Sequence, residues 1–592
     1  MKIAYIPQDA PFNEDQRAWL SGFLAGLHSR VAMNLATPPP VASATGSAPR
    51  PALRVLYGTQ TGNAEGVAGD IAAGARAQGF DAAVSGLDEI TVEEFAGCKF
   101  VLIVISTYGE GEMPDNAELF WDALSSTMAP RLEGMSFGVL ALGDTSYDGF
   151  CQAGKLMDTR LEQLGATRVL ARTDCDVDYE TPAAEWIQEA VGALMTLAGA
   201  SGVPSTPPPS TVSRSGWTRK NPYPARLAES RRLSGPGSGK EIRHYEFDLG
   251  DSEISYQAGD ALAVVPENDP ALVQALAEHF RLSVDTRVDG EPLSELFGKR
   301  YEISTPSKDL LGEVESRADD DEFSHVLRGG IKEALDRWLY GRDVLDILRI
   351  GGDQLSLEEF IGLLKPLQHR AYSISSSPLA HPDRIHLTVA SVRYQNTGRE
   401  RGGVCSTFLA DRCDAAPIFL QPNKSFRVPA DDSAPMIMVG PGTGIAPFRA
   451  FLQEREHRGA AGRNWLFFGD RQREHDFIYA DELTGWHDRG VLDRVDLAFS
   501  RDPGTAGSGG SGGSGGAKIY VQTRMREHGK ELFGWLEDGG HFYVCGDASR
   551  MAKDVDQALH DIVATHGGLG VDGAVEYVNT LKREKRYVRD VY

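Results

Sequence analysis

The chain has 592 residues, 41% hydrophobic and 24% charged, which suits three or four units of ordinary size and excludes one small domain. Its net charge of −24 argues against nucleic acid as a partner, because phosphate binding draws on clustered Lys and Arg. With no run of the roughly 18 to 20 apolar residues a bilayer helix needs, no export signal in MKIAYIPQDAPFNEDQ, and six cysteines in neither CxxC nor Cys/His spacing, the sequence predicts a cytoplasmic protein without membrane segment, disulfide framework or metal site.

Residues 1–35 carry one short amphipathic segment, EDQRAWLSGFLAGL, with Trp19, Leu20, Phe23, Leu24 and Leu27 on one helical stripe. A helix that short is marginal alone, so it is expected to dock on something. Two Pro/Ser/Ala/Gly-rich stretches, 36–51 and 198–216, read as linkers. Between them, at 52–197, LRVLYG, FVLIVIS and FGVLALG alternate with helical patterns from about Asn63, near 117–124 and near 152–164. That alternation predicts a doubly wound parallel sheet with its ligand at the strands' carboxyl ends. This stretch is acidic: residues 54–198 hold 23 Asp and Glu against 8 Lys and Arg, a face that either meets a basic partner or is simply solvated.

From 217 to 431, HYEFDLG, ALAVVP, HRAYSIS and RIHLTVASVRY predict a β-barrel interrupted by a helical, charged insertion at about 270–364. From 432 to 592 the β/α alternation returns in MIMVG, NWLFFG, RVDLAFS, KIYVQ and HFYVCG, predicting a second nucleotide-type α/β domain. A Gly/Ser run at 503–517 reads as a surface loop, natural or engineered.

Three loops of the first unit carry its chemistry. In TQTGNA, which opens a helix, hydroxyls of Thr59 and Thr61 and backbone N–H groups of Gln60, Gly62, Asn63 and Ala64 suit a phosphate without Lys or Arg. STYGEGEMPDN supplies Ser106, Thr107, Tyr108 and Gly109; LGDTSYDGFC supplies Leu142, Gly143, Asp144, Tyr147, Phe150 and Cys151. A flat ring fits between Tyr108 and Tyr147. Together the loops resemble the FMN site of flavodoxin-like domains. In the middle unit, Arg370 at a strand start and the turn Gly402, Gly403, Val404, Cys405 and Ser406 opening a helix suit a pyrophosphate. RAYSISSSP and RGGVCSTFLAD resemble the FAD motifs of the ferredoxin-NADP reductase superfamily. That resemblance sets Ala371, Tyr372 and Ser373 beside the flavin, and Thr388, Val389, Ala390 and Tyr394 along the FAD.

The last unit opens with MIMVGPGTGIAPFRAF, a strand, a turn (Gly440, Gly442, Thr443, Gly444) and a helix suited to a dinucleotide. Ser500, Arg501, Lys518, Tyr520, Gln522 and Asp554 complete that set, and its Arg, Lys and hydroxyls favour NADPH over NADH. The end, KRYVRDVY, reads by itself as a fraying tail.

The order of these motifs over residues 52–592 resembles the diflavin reductases, and within them the flavoprotein (alpha) subunits of bacterial NADPH-dependent sulfite reductases. GPGTGIAPFRAF, KIYVQ and the terminal Tyr592 lean that way, and QRAWLSGFLAGL resembles those subunits' N-terminal assembly segment. The resemblance implies electron flow from NADPH to FAD to FMN, then to a sulfite reductase hemoprotein (beta) subunit, with a homo-oligomer formed through the N-terminal segment. It also implies that Ser373, Cys545 and Asp590 assist hydride transfer and that Tyr592 covers the flavin; the linker at 198–216 by itself predicts a mobile FMN domain. Cys405 and the Gly/Ser run depart from the family pattern. No thiolate set here could hold siroheme or an iron–sulfur cluster, so if sulfite is reduced, another polypeptide is expected to do it. The alternatives are a diflavin reductase for another acceptor, a nitrate- or nitrite-reducing partner or a cytochrome, and a flavin-binding assembly or sensor protein.

Overall fold

The computed structural model describes residues 50–60, 62–145, 147–199, 216–351, 354–396, 398–502 and 518–592. The amphipathic segment, nearly all of both linkers, the Gly/Ser run and Thr61 lie outside the described residues.

The first sheet joins β1 (Ala52–Gly58), β2 (Asp81–Gly86), β3 (Phe100–Ser106), β4 (Ser136–Leu142), β5 (Thr167–Arg168) and β6 (Thr173–Cys175). They run parallel in the order β2-β1-β3-β4-β5, with β6 also on β4. That is the flavodoxin-like winding, whose direction reverses between β1 and β3. All but the last residue of FVLIVIS in β3 are buried, as expected of a strand covered on both faces. Helix Asn63–Ala77 packs Val67, Ala68, Ile71, Ala72 and Ala75 on one face, and Asp115–Ser125 and Gln152–Gln163 cover the other.

The second sheet consists of β7 (Tyr223–Arg232), β8 (Glu241–Asp248), β9 (Ala261–Val264), β12 (Arg370–Ser373), β13 (Arg384–Ser391) and β16 (Ala415–Gln421). Two hairpins stand apart from it: β10 (Arg287–Val288) with β11 (Glu291–Pro292), and β14 (Arg393–Asn396) with β15 (Arg399–Gly402). The order is β12-β9-β16-β7-β8-β13, antiparallel throughout. The expected barrel is not a continuous ladder. Its end strands meet at one bridge, Ile374 to Leu387, backed by the Ser375 N–H donating to His386 O at 2.8 Å. The helical insertion has its own core around Leu276, Phe297, Leu310, Phe323, Ile347 and Phe360. Its helix starts are capped by Asp269, Ser307, Asp320 and Ser356, each accepting from a backbone N–H of the first turn.

The third sheet holds β17 (Met436–Val439), β18 (Asn464–Asp470), β19 (Arg494–Phe499), β20 (His541–Gly546) and β21 (Tyr587–Val591), parallel in the order β19-β18-β17-β20-β21. Its reversal lies between β17 and β20. Two expectations change here. KIYVQ is no strand: residues 518–520 are irregular and a helix begins at Val521, because Val521 and Met525, four apart, bury together in the core. The C-terminal tail does not fray, since Tyr587–Val591 adds to β20 as the edge strand.

One core joins the second and third sheets: Ile242, Ala258 and Phe426 cluster with Met436, Phe448, Phe451 and Tyr543. Buried Arg449 donates to Ser375 O (2.7 Å), Glu482 (2.7 Å) and His386 Nδ1 (3.2 Å), and the Tyr479 hydroxyl meets His244 Nδ1 and Thr388 Oγ1, both at 2.8 Å. His244, Glu246 and His386 cluster within 4.8 Å of one another. Because the His386 Nδ1 accepts from a guanidinium, its Nε2 carries the proton and cannot also ligate a cation.

The first sheet's unit docks on the rest through ion pairs of one polarity, acid on the flavodoxin-like side and base opposite. Arg589 pairs with Asp115 (2.6 Å) and Glu118 (3.5 Å), Lys582 with Glu118 (3.0 Å) and Lys585 with Glu89 (2.9 Å). Lys308 pairs with Asp148 (2.7 Å), Lys365 with Asp176 (3.7 Å), and Lys424, Lys332 and Arg219 with Glu65, Glu110 and Asp178.

Candidate functional site

A cleft of about 800 Å³ lies where the three parts meet. The carboxyl ends of β3 and β4 supply Ser106, Thr107, Tyr108, Gly109, Leu142, Gly143, Asp144, Tyr147 and Phe150, and the turn into the first helix supplies Gln60 and Asn63. Its far wall is His369, Phe419 and Gln421 of the second sheet with Val591 and Tyr592 of the C-terminus. Tyr108 and Tyr147 both line the cleft, as the sequence predicts. The Tyr108 hydroxyl donates to Val591 O at 3.2 Å, and burial pushes it up to about 12. Tyr147 is 50% exposed.

The phosphate-type turn lies beside this cleft. Gly62 (φ +85) is the N-cap of helix Asn63–Ala77, which has no side-chain cap, and its N–H donates to Thr59 Oγ1 at 2.9 Å. The Thr59 N–H donates to Asn116 Oδ1 at 2.7 Å. A Cβ on Gly62 would meet Pro422 O at 2.6 Å, so only glycine fits between the left-handed turn and the second sheet's loop. Two residues expected here sit deeper. Ala64 is in the core, and Cys151 (φ +54) is fully buried at the N-cap of Gln152–Gln163 with its thiol near Cys175 O.

In the second sheet, Arg370 and Tyr372 lie two apart on β12 and share a face, with Ala371 between them on the other. The buried Tyr372 hydroxyl hydrogen-bonds with the Cys405 thiol, which burial pushes up to about 11. The Arg370 guanidinium donates to Gln368 O (3.0 Å) and His369 O (3.3 Å). Gly403 caps helix Val404–Asp411 without a side-chain partner; a Cβ there would meet Ser406 Oγ at 2.7 Å, and one on Gly402 would meet Thr407 at 2.5 Å. Three of the residues expected along the FAD are engaged in packing or hydrogen bonding here. Thr388 spends its hydroxyl on Tyr479, Val389 packs inside the second sheet, and Ala390 packs on the core shared with the third, because β13 is covered on both faces. Tyr394 stacks on Tyr340, centroids 5.3 Å apart, the latter 65% exposed.

At the third sheet's reversal, Gly442 has φ +59 and Gly444 packs so closely that a Cβ would lie 2.1 Å from Cys545 O. Beside this turn stands a pair the sequence did not reveal. Lys240 Nζ donates to Asp470 Oδ1 at 2.6 Å, while Oδ2 is buried without a partner 3.6 Å from the Cβ position of Gly442. At the sheet edge, Ser500 donates through its N–H (3.0 Å) and hydroxyl (3.3 Å) to Asp470 O, and the Arg501 N–H donates to Arg471 O (2.8 Å). Gln522 Nε2 donates to Asp554 at 3.1 Å; Lys518 and Tyr520 are exposed.

Ser373, Cys545 and Asp590 come together across the seam of the last two sheets. The Ser373 hydroxyl donates to Asp590 Oδ2 at 2.6 Å, and the Cys545 thiol points at the same oxygen at 3.8 Å. Burial raises the Asp590 carboxyl above its ordinary range and the Cys545 thiol well above its own, so the thiol is protonated. Tyr592 ends the strand with its hydroxyl 2.8 Å from Thr443 Oγ1.

Residues 55–186 match the family model for flavodoxin, 216–408 that for an FAD binding domain, and 438–557 that for an oxidoreductase NAD-binding domain. Thus the chain combines domains for FMN, FAD and NADPH. Over 98% of its length it is 42% identical to the sulfite reductase (NADPH) flavoprotein alpha-component of Bacillus subtilis (96% of that protein covered) and 43% identical to that of Vibrio cholerae (94% covered). It is 39% identical to that of Klebsiella pneumoniae, again over 98% of the chain and 96% of the relative. Near-complete coverage at this identity, with all three domains in order, makes the chain a member of the sulfite reductase (NADPH) flavoprotein alpha-component family.

Proposed function

We propose that the chain carries electrons from NADPH through FAD to FMN and on to a separate hemoprotein that reduces sulfite to sulfide. The observation that carries this reading is the cleft in which both tyrosines of the flavodoxin-like unit face the terminal Tyr592 across a single open space. The residues fit the groups. An uncapped helix start at a left-handed glycine suits the FMN phosphate, the Gly402–Gly403 turn the FAD pyrophosphate, and the Gly442 turn that of NADPH. Flavins take a hydride and release single electrons.

The chain's own residues supply placement. Asp590 holds the Ser373 hydroxyl and faces the Cys545 thiol, fixing both beside the position of Tyr592. The phenol of Tyr592, tied to Thr443, covers that position until a nicotinamide displaces it. Arg501 and Lys518, at the sheet edge, serve the 2′-phosphate. The domain boundaries are those read from sequence, and residues 1–35 serve assembly into a homo-oligomer in the cytoplasm. Among the described residues no helix is long and apolar enough to cross a membrane. The test mixes the purified chain, loaded with one FMN and one FAD, with the hemoprotein of the same organism under NADPH. Sulfide formed only when both are present supports the reading. NADPH oxidation by an artificial acceptor without sulfide moves the acceptor to another metalloprotein.

A further inference from the structure

Four consecutive residues at the C-terminus touch all three parts of the molecule. Arg589 reaches the flavodoxin-like unit, donating Nε and Nη2 to the two oxygens of Asp115 at 3.0 and 2.6 Å, with Glu118 at 3.5 Å. Asp590 accepts from Ser373 and faces Cys545. Val591 gives its carbonyl to the Tyr108 hydroxyl. Tyr592 bonds through its side chain to Thr443 at the dinucleotide turn, while its N–H donates to Gly546 O (3.0 Å) and its own carbonyl accepts from the Ala548 N–H (3.1 Å). Strand geometry enforces this division: Arg589 and Val591 project to one side of β21, Asp590 and Tyr592 to the other. As an edge strand, β21 is held on one side by β20; the flavodoxin-like unit supplies further bonds to its last residues.

From this we infer that Arg589 is a positioning residue: docking of the flavodoxin-like unit on Arg589 fixes the end of β21 and thereby keeps Tyr592 latched on Thr443, so that docking and nicotinamide entry oppose each other. The inference rests on the proposed NADPH site at the Gly442 turn. When the Arg589–Asp115 pair opens, the strand end loosens and displacing Tyr592 costs less. Reciprocity then requires that a dinucleotide which displaces Tyr592 also weakens docking by the same factor.

The test uses the full chain loaded with both flavins and three proteins: wild type, Asp115→Asn and Arg589→Gln. NADP⁺ affinity is measured by calorimetry, which needs no turnover, and the radius of gyration by X-ray scattering with and without NADP⁺. Flavin content is checked in each. Both variants are expected to bind NADP⁺ three- to tenfold more tightly than wild type, and NADP⁺ is expected to expand wild type but not the variants. Because Asp115 opens helix Asp115–Ser125 of the flavodoxin-like unit, outside the third sheet, Asp115→Asn leaves the pairing of β21 with β20 untouched, and it carries the test alone should Arg589→Gln misfold. Unchanged or weaker NADP⁺ affinity in a flavin-loaded Asp115→Asn protein overturns the coupling, whatever the scattering shows. A wild type that binds no NADP⁺ overturns instead the dinucleotide reading on which the coupling rests.

Discussion

Replacing Asp590 with Asn removes the charge that organises the proposed hydride-transfer group while keeping its shape. The wild-type carboxylate accepts a 2.6 Å bond from Ser373, the length of a charge-assisted O–H···O⁻ contact. Such bonds contribute about 1.5 to 3 kcal/mol, against about 1 for a neutral one. The lost difference is about 0.5 to 2 kcal/mol, and if it acts in the transition state hydride transfer slows by about 2- to 30-fold, since 1.36 kcal/mol is tenfold. The fold should move the other way. Burial raises the folded carboxyl pKa above the unfolded value, so ionised Asp590 opposes folding at neutral pH, and the neutral amide introduced by Asp590→Asn relieves that cost. The assay is anaerobic rapid mixing of the flavin-loaded variant with NADPH, following flavin bleaching, with a thermal scan alongside. A variant at the wild-type rate, or one whose loss lies wholly in KM, refutes the role assigned to Asp590. A lowered melting temperature refutes the electrostatic reasoning.

Three further outcomes follow from the geometry. Raising NaCl from 0.1 to 1 M shortens the screening length from about 10 to about 3 Å; since the seam's ion pairs share one polarity, the scattering radius should grow, and a constant radius would show that apolar contacts hold the unit. Lys240→Ala should raise KM for NADPH about 5- to 30-fold with kcat nearly unchanged, because an ammonium beside the Gly442 turn is lost; a change confined to kcat in steady-state assays counts against it. Burial lowers the folded pKa of His244 and of His369 to about 4 each, so the unfolded chain takes up their protons first as pH falls. Stability attributable to them is therefore full above about pH 6.5 and declines toward pH 4, by up to about 3 kcal/mol for His244. Melting temperatures that stay flat between pH 6.5 and 4 contradict this.

What the sequence made legible was local. TQTGNA, STYGEG and LGDTSYDGF each combine a strand end with a turn, so the residues expected to bind are neighbours in the chain, and the fold brings them to one cleft or to its border. Glycine turns were legible for the same reason, since a left-handed or crowded position at Gly62 or Gly444 leaves no room for a Cβ. Periodicity failed where burial ran on both faces or was shared between units. KIYVQ alternates like a strand, yet its valine serves a helical stripe with Met525. β13 has no free face, so Thr388, Val389 and Ala390 are spent on packing. β7 and β21 mix charged and apolar residues because one is broken by a register shift and the other is an edge.

Placement of charge lay wholly outside the reach of the sequence. The acidic excess of residues 54–198 was countable, but whether it faced water or a partner depended on Lys and Arg up to nearly 500 positions away, as with Lys585 and Glu89. In the folded chain much of that excess faces the chain's own cations: Glu65, Asp88, Glu89, Glu110, Asp115, Glu118, Asp148, Asp176 and Asp178 all pair across the seam. These carboxylates border the loops proposed to hold FMN, so an external acceptor approaching that edge meets a surface already neutralised. An acceptor that docked there through bases of its own would compete with Arg589, Lys582 and Lys585 for the same carboxylates. A carboxylate serves one such docking at a time, so if the acceptor uses this face, receiving electrons from within the chain and delivering them outside it would be successive states of it.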